Sequence, residues 1–167
     1  MQFVIALVLL ATPMEVSMTA KLQVTSPAFR DNEAIPTEFS CDGRNVSPPL
    51  AWSGVPAETK SIAILVEDPD APKKVFTHWL VTGLSPTTTS LPKGAALPSG
   101  ATASNNDMGK MGWAGPCPPG GRHHYHFHVY ALDTQIPKPT SRAELLAAIR
   151  GHVLAEGELV GTFQHAR

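Results

Sequence analysis

Residues 115–133 read GPCPPGGRHHYHFHVYALD, and the second half of that stretch decides the fold. From 123 to 132 the side chains alternate between two faces, the period of a strand with one side turned to a core. His123, Tyr125, Phe127 and Val129 fall on one face, and His124, His126 and His128 on the other. The first half has the opposite character. Pro116, Pro118 and Pro119 stiffen a loop, while Gly120 and Gly121 permit close backbone approach, the composition expected of an anion pocket lined by main-chain N–H groups. A His and a Tyr at the loop end of an otherwise apolar face predict a ligand pocket at the rim of a core.

Outward from this strand, SIAILV at 61–66 is apolar at consecutive positions, which predicts a central strand buried on both faces. Residues 22–24, 78–84 and 159–163 predict further strands. The Pro-rich stretch 31–56 reads mostly as loop, and 87–115, rich in Gly, Pro, Ser and Asn, as a long loop of the kind that carries function. Ser141 and Glu144 form a capping box ahead of Leu145, Leu146 and Ile149, with Gly151 as a stop, so one helix is expected there and a shorter helical turn at 152–156. Sixteen prolines and thirteen glycines suit turns better than long helices. The expected fold is mostly β, a sandwich-like assembly of sheets with one or two short helices near the C-terminus.

A chain of 167 residues is one domain's length, and 43% hydrophobic with 16% charged residues places it among folded globular chains. A formal charge of −1 gives no broad attraction for nucleic acid or an acidic membrane. The apolar run at 3–11 is the size of a signal-peptide core and well short of the ~20 residues that span a bilayer. No Lys or Arg precedes it, and no clear small-x-small cleavage site follows. Residues 1–17 are therefore taken as an N-terminal extension with weak signal-like character and 18–167 as the domain, with a cytoplasmic location favoured over a periplasmic or secreted one. Cys41 and Cys117 lack metal-type spacing. If they meet, a disulfide would contribute about 4 kcal/mol in the chain-entropy account; otherwise they are two small buried thiols.

A second segment, EDPDAPKKVFTHW at 67–79, ends the central strand in Asp68 and Asp70, stiffened by Pro69 and Pro72, before His78 opens the next strand. A rigid Asp near a His accepts one ring N–H and leaves the other nitrogen for a ligand. His124, His126 and His128 are of the type that holds Zn, Cu or Ni, with His78 another candidate, but a solvated polar face accounts for them as simply and no supporting carboxylate is visible. No Gly-x-Ser-x-Gly elbow, Walker loop or Gly-x-Gly-x-x-Gly run is present, so no catalytic residue, metal or cofactor is assigned.

DPDAP at 68–72, HW at 78–79 and GPCPPGGRHHY at 115–125 together resemble the phosphatidylethanolamine-binding protein family, also known as the Raf kinase inhibitor protein family, and its bacterial and archaeal branch above all. SPAF from Ser26, CDGRNVSPPLAWSGVP from Cys41, ND from Asn106, YALD from Tyr130 and GHVLAEGELVGTF from Gly151 extend the resemblance over 18–167. It implies a large central antiparallel sheet packed on a smaller one, with a pocket for phosphate, sulfate or similar anions. By position, Asp68, His78, His123 and Tyr125 match the family's pocket side chains, with Asp70, Pro72, Gly115 and Pro116 as supporting wall. Two departures stand out. His124 occupies the place of a usual Arg, and the sequence ends at Arg167 without the helix that borders the pocket in mammalian members, which implies a more open site.

The resemblance further implies a non-catalytic regulatory protein, inhibitor-like towards a kinase or protease, and a homodimer. Two other expectations compete: a hydrolase or lyase using Asp68, His78 and His123, and a metal-binding protein using His124, His126 and His128. An anion beside Asp68 requires that carboxylate to be neutralised, and the expected device is His78 or His123 held protonated by it.

Overall fold

The computed structural model describes residues 20–166, so the extension assigned to 1–17 lies outside the described residues. Its main sheet is organised around the apolar run at 61–66. In chain order the elements are β1 (Ala20–Lys21), β2 (Gln23–Thr25), β3 (Glu33–Ala34), β4 (Leu50–Ser53), β5 (Ser61–Asp68), β6 (Phe76–Leu84), β7 (Ser90–Leu91), β8 (Thr102–Ala103), β9 (His123–Leu132), α1 (Arg142–Ile149) and β10 (Val153–Phe163). The main sheet runs β1-β10-β9-β5-β6-β8, with β3 also beside β10, and the smaller sheet runs β2-β4-β7. Strands β10, β9, β5, β6 and β8 pair antiparallel, while the short β1 and β3 run parallel to β10 at its edge.

β5 is buried on both faces because both are covered. Ile62, Ile64 and Val66 pack with Leu22, Leu50 and Trp52 of the smaller-sheet side, whereas Ala63 and Leu65 pack with Leu80, Leu145 and Ile149 beneath α1. The β9 alternation holds: His123, Tyr125, Phe127 and Val129 are buried, with His124, His126 and His128 on the more open face.

Three expectations are corrected. The stretch 152–156 is not a helical turn, because Gly151 turns the chain at φ 79° and Val153 opens β10. The strand expected at 159–163 is the second half of β10; Gly157 lies in the unexpected first half, where another segment presses close, since a Cβ there would stand 2.3 Å from the Leu22 carbonyl oxygen. β4 lies inside the Pro-rich stretch read as loop, its Leu50 and Trp52 alternating into the core between Pro49 and Gly54. Only half of the capping box forms. Ser141 Oγ accepts the Glu144 N–H at 3.2 Å, but the Glu144 carboxylate accepts from Thr140 N and Oγ1 at 2.8 and 2.9 Å instead of reaching back to Ser141.

Removing Leu65, which is sealed beneath α1, should be costly because a cavity there cannot fill with water. Leu65→Ala is expected to lower unfolding free energy by about 2–5 kcal/mol in urea titrations.

Candidate ligand-binding pocket

Antiparallel pairing brings the end of β5 and the starts of β6 and β9 to one edge of the sheet, so Asp68, His78 and His123 converge from three adjacent strands. With Tyr125 they line a cavity of about 260 Å³, closed by Pro72, Phe76, Trp113, Gly115 and the loop at 117–119. The four side chains expected to meet do meet. Asp70 and Pro116 stand behind the lining. Asp70 donates its N–H to Asp68 Oδ1 at 2.8 Å, and the Pro116 carbonyl accepts the Cys41 N–H at 3.0 Å.

Of the two pairings left open for Asp68, the one with His123 is formed. His123 Nδ1 donates to Asp68 Oδ2 at 2.7 Å, and both side chains are buried. His78 Nδ1 instead donates to the Ala114 carbonyl at 2.5 Å, which fixes its tautomer without a carboxylate. In each ring Nε2 is left as the remaining functional atom. Burial holds the His78 pKa below the ordinary histidine value, and the Ala114 carbonyl and Asp68 only partly oppose it. A neutral His78 with its proton on Nδ1 offers a lone pair at Nε2, so an anion that accepts a hydrogen bond from that atom requires the ring to take up a proton from solvent.

Tyr125 packs edge-on against His78, ring centroids 5.1 Å apart, and its hydroxyl is buried without a hydrogen-bond partner. Burial raises the phenol pKa, and Asp68 and Asp70 raise it further. The Cys117 backbone opposes this shift without reaching bonding geometry. The phenol therefore stays protonated, a donor aimed at no protein atom. An orphaned buried hydroxyl costs about 1–3 kcal/mol unless a ligand or water satisfies it.

The expectation of a wall of main-chain N–H groups is corrected. Proline has no N–H, Gly115 N donates to Asn45 Oδ1 at 2.7 Å, and Ala114 N donates to the His78 carbonyl at 2.9 Å. Gly120 and Gly121 are exposed with open space around them, and the close approach occurs at Gly115, where a Cβ would lie 2.2 Å from the Phe39 carbonyl oxygen. The donors of the pocket are thus largely side chains: His78, His123, Tyr125 and, at the rim, Lys110.

Asn45 and Asn106 hold the walls and escape a sequence argument for one reason: each acts on loop backbone, where no periodicity marks it. Asn106 Oδ1 accepts from Met108 N and Lys110 N at 2.9 and 3.2 Å, and its Nδ2 donates to the Gly112 carbonyl. The one available signal for Asn45 is its type, since Asn tolerates the left-handed backbone found there at φ 54°. His124, in place of the expected Arg, contacts Asp70 Oδ2 through Nδ1 at 2.7 Å and through its backbone N–H at 2.8 Å.

Cys41 and Cys117 form a disulfide, and both residues are exposed, so the alternative of two buried thiols is set aside. The bond ties the 41–45 turn to the pocket wall. Disulfides of this kind persist in oxidising compartments and are rare in reducing cytosol.

A large antiparallel sheet backed by a smaller one, with a pocket where the ends of its central strands meet, defines a β-sandwich fold. Residues 25–164 match the family described as phosphatidylethanolamine-binding protein, and the chain belongs to that family. It is 44% identical over 149 residues to a UPF0098 protein of Methanothermobacter thermautotrophicus, covering 86% of this chain and 99% of that one. Among solved structures, a phosphatidylethanolamine-binding protein homologue from Chlamydia trachomatis aligns with TM-score 0.82 at 39% identity, covering 89% of this chain and all of that one (100%). Escherichia coli YbcL, described as a new member of the mammalian family, aligns with TM-score 0.82 at 38% identity, covering 88% of this chain and 100% of its own.

Two outcomes follow from the geometry. Tyr125→Phe should leave stability unchanged or raise it by about 1 kcal/mol, since it deletes an unsatisfied hydroxyl, whereas Asp68→Asn should cost about 2 kcal/mol through the lost charged partner of His123; urea unfolding of both variants reads the contrast. Replacing both cysteines by serine should lower stability by about 4 kcal/mol, and reductant should do the same to the unmodified protein.

Proposed function

We propose that this chain is a non-catalytic receptor for small phosphate-type anions whose occupancy regulates a protein partner, inhibitor-like towards a kinase or protease. The observation that carries the proposal is the Tyr125 hydroxyl: a buried donor with no protein acceptor, beside two imidazoles whose Nδ1 positions are already committed. Lys110 adds a cation at the rim. The lining supports binding over turnover, because it contains no Ser or Thr and both its cysteines are joined in the disulfide. Met108 and Met111, 65% and 67% exposed beside the pocket mouth, suit contact with another protein, since unbranched thioether side chains adapt to many shapes. A homodimer belongs to the same proposal.

Affinity should depend on pH in one direction. His78 is neutral near pH 7 because burial lowers its pKa, and its protonation adds both charge and a donor. The anion favours the protonated form, so affinity should rise as pH falls from about 8 to about 5. Calorimetric titration with sulfate, whose own charge stays constant over that range, isolates the protein's contribution, and His78→Gln should flatten the profile. A flat profile in the unmodified protein would sink the proposal, as would turnover abolished by His78→Ala in a phosphatase and hydrolase screen.

A further inference from the structure

On the opposite face of β9 a second cluster of ligand-type side chains lies outside the pocket. Sheet register sets Glu158 directly across from His128, and Val160 across from His126, so the two histidines bracket one carboxylate. Glu158 Oε1 is 2.6 Å from His126 Nδ1 and 3.6 Å from His128 Nδ1. One ligand atom from each of the three residues lies within 4.8 Å of the other two. Bonds of about 2.0–2.2 Å from nitrogen and oxygen to a tetrahedral ion require ligand atoms about 3.4 Å apart, a separation that the 2.6 and 3.6 Å distances from Glu158 Oε1 bracket.

A fourth residue turns proximity into a built arrangement. Glu67, half-buried beside Arg142 and gripped by its guanidinium, lies 3.5 Å from His128 Nε2. A carboxylate at that nitrogen holds its proton and leaves the Nδ1 lone pair facing Glu158 and His126, the second contact that orients metal-binding imidazoles. The supporting carboxylate was invisible in the sequence because it sits on β5, 61 positions from His128, and only sheet pairing unites them. His124, the remaining histidine of the row, is committed to Asp70 and takes no part.

The geometry points to a surface site for a divalent first-row transition ion, held by His126, His128 and Glu158 and oriented by Glu67. Two imidazoles and one carboxylate suit Cu²⁺ and Zn²⁺ over Mg²⁺ and Ca²⁺, with Cu²⁺ the tighter in the usual order of divalent ions. The ligands are accessible, with side-chain exposures of 27% for His126, 22% for His128 and 44% for Glu158. Three protein ligands also leave coordination positions open to water.

The test uses untagged protein with its disulfide intact, so that Cys41 and Cys117 cannot compete as thiolates. Competition against a chromophoric chelator should give one Cu²⁺ and one Zn²⁺ per chain, with Mg²⁺ inert. His128→Ala and Glu158→Gln should each weaken binding at least tenfold, Glu67→Gln by about tenfold, and His124→Ala not at all. In the unmodified protein, Cu²⁺ should broaden amide resonances around 126, 128 and 158 first, which requires no variant to fold. Sulfate binding by His128→Ala should match the unmodified protein, keeping this site's failure distinct from the pocket's. Absence of stoichiometric binding, equal loss from His124→Ala, or broadening centred elsewhere would overturn the assignment.

Discussion

The burial of β5 on both faces is the constraint on which the remaining structure depends. A strand sealed by the smaller sheet on one side and by α1 on the other cannot slip by one residue without exchanging Ile62, Ile64 and Val66 for Ala63 and Leu65, whose volumes fit different spaces. That lock fixes β6 and β9, its neighbours, in register. It therefore fixes where Asp68, His78 and His123 come to rest. The pocket is a consequence of core packing, and its charged groups are held by strands that are costly to move.

The anionic guest proposed for the pocket would meet a carboxylate whose charge is already engaged. Asp68 spends one oxygen on His123 and the other on the Asp70 N–H, so its charge is engaged within the wall. His78 is tied to a carbonyl, which leaves its charge free to respond to what enters. The two imidazoles thus differ in kind: one has a carboxylate partner, and the other stays neutral near pH 7 until a ligand favours its proton.

Where a periodic strand or a stiff turn carried the site, the sequence was legible. β9 spans 123–132 as its alternation predicts, and Asp68, His78, His123 and Tyr125 share one cavity. What escaped depends on contacts between distant segments. β4 hid among prolines, and the first half of β10 hid around Gly157, which allows close approach to another chain segment. Asn45 secures Gly115 across 70 positions, and Glu67 meets His128 only through the sheet. The failed expectation of a main-chain anion nest has a local cause: three prolines remove the donors such a nest would use.

The bond between Cys41 and Cys117 lies at the protein surface while its two residues form part of the cavity wall. A cross-link so placed exchanges with small thiols in the surrounding fluid more readily than a buried one. The rigidity of one side of the cavity is consequently coupled to the thiol balance outside the molecule, and a cavity built largely from immobile strands carries one edge whose stiffness its surroundings can alter.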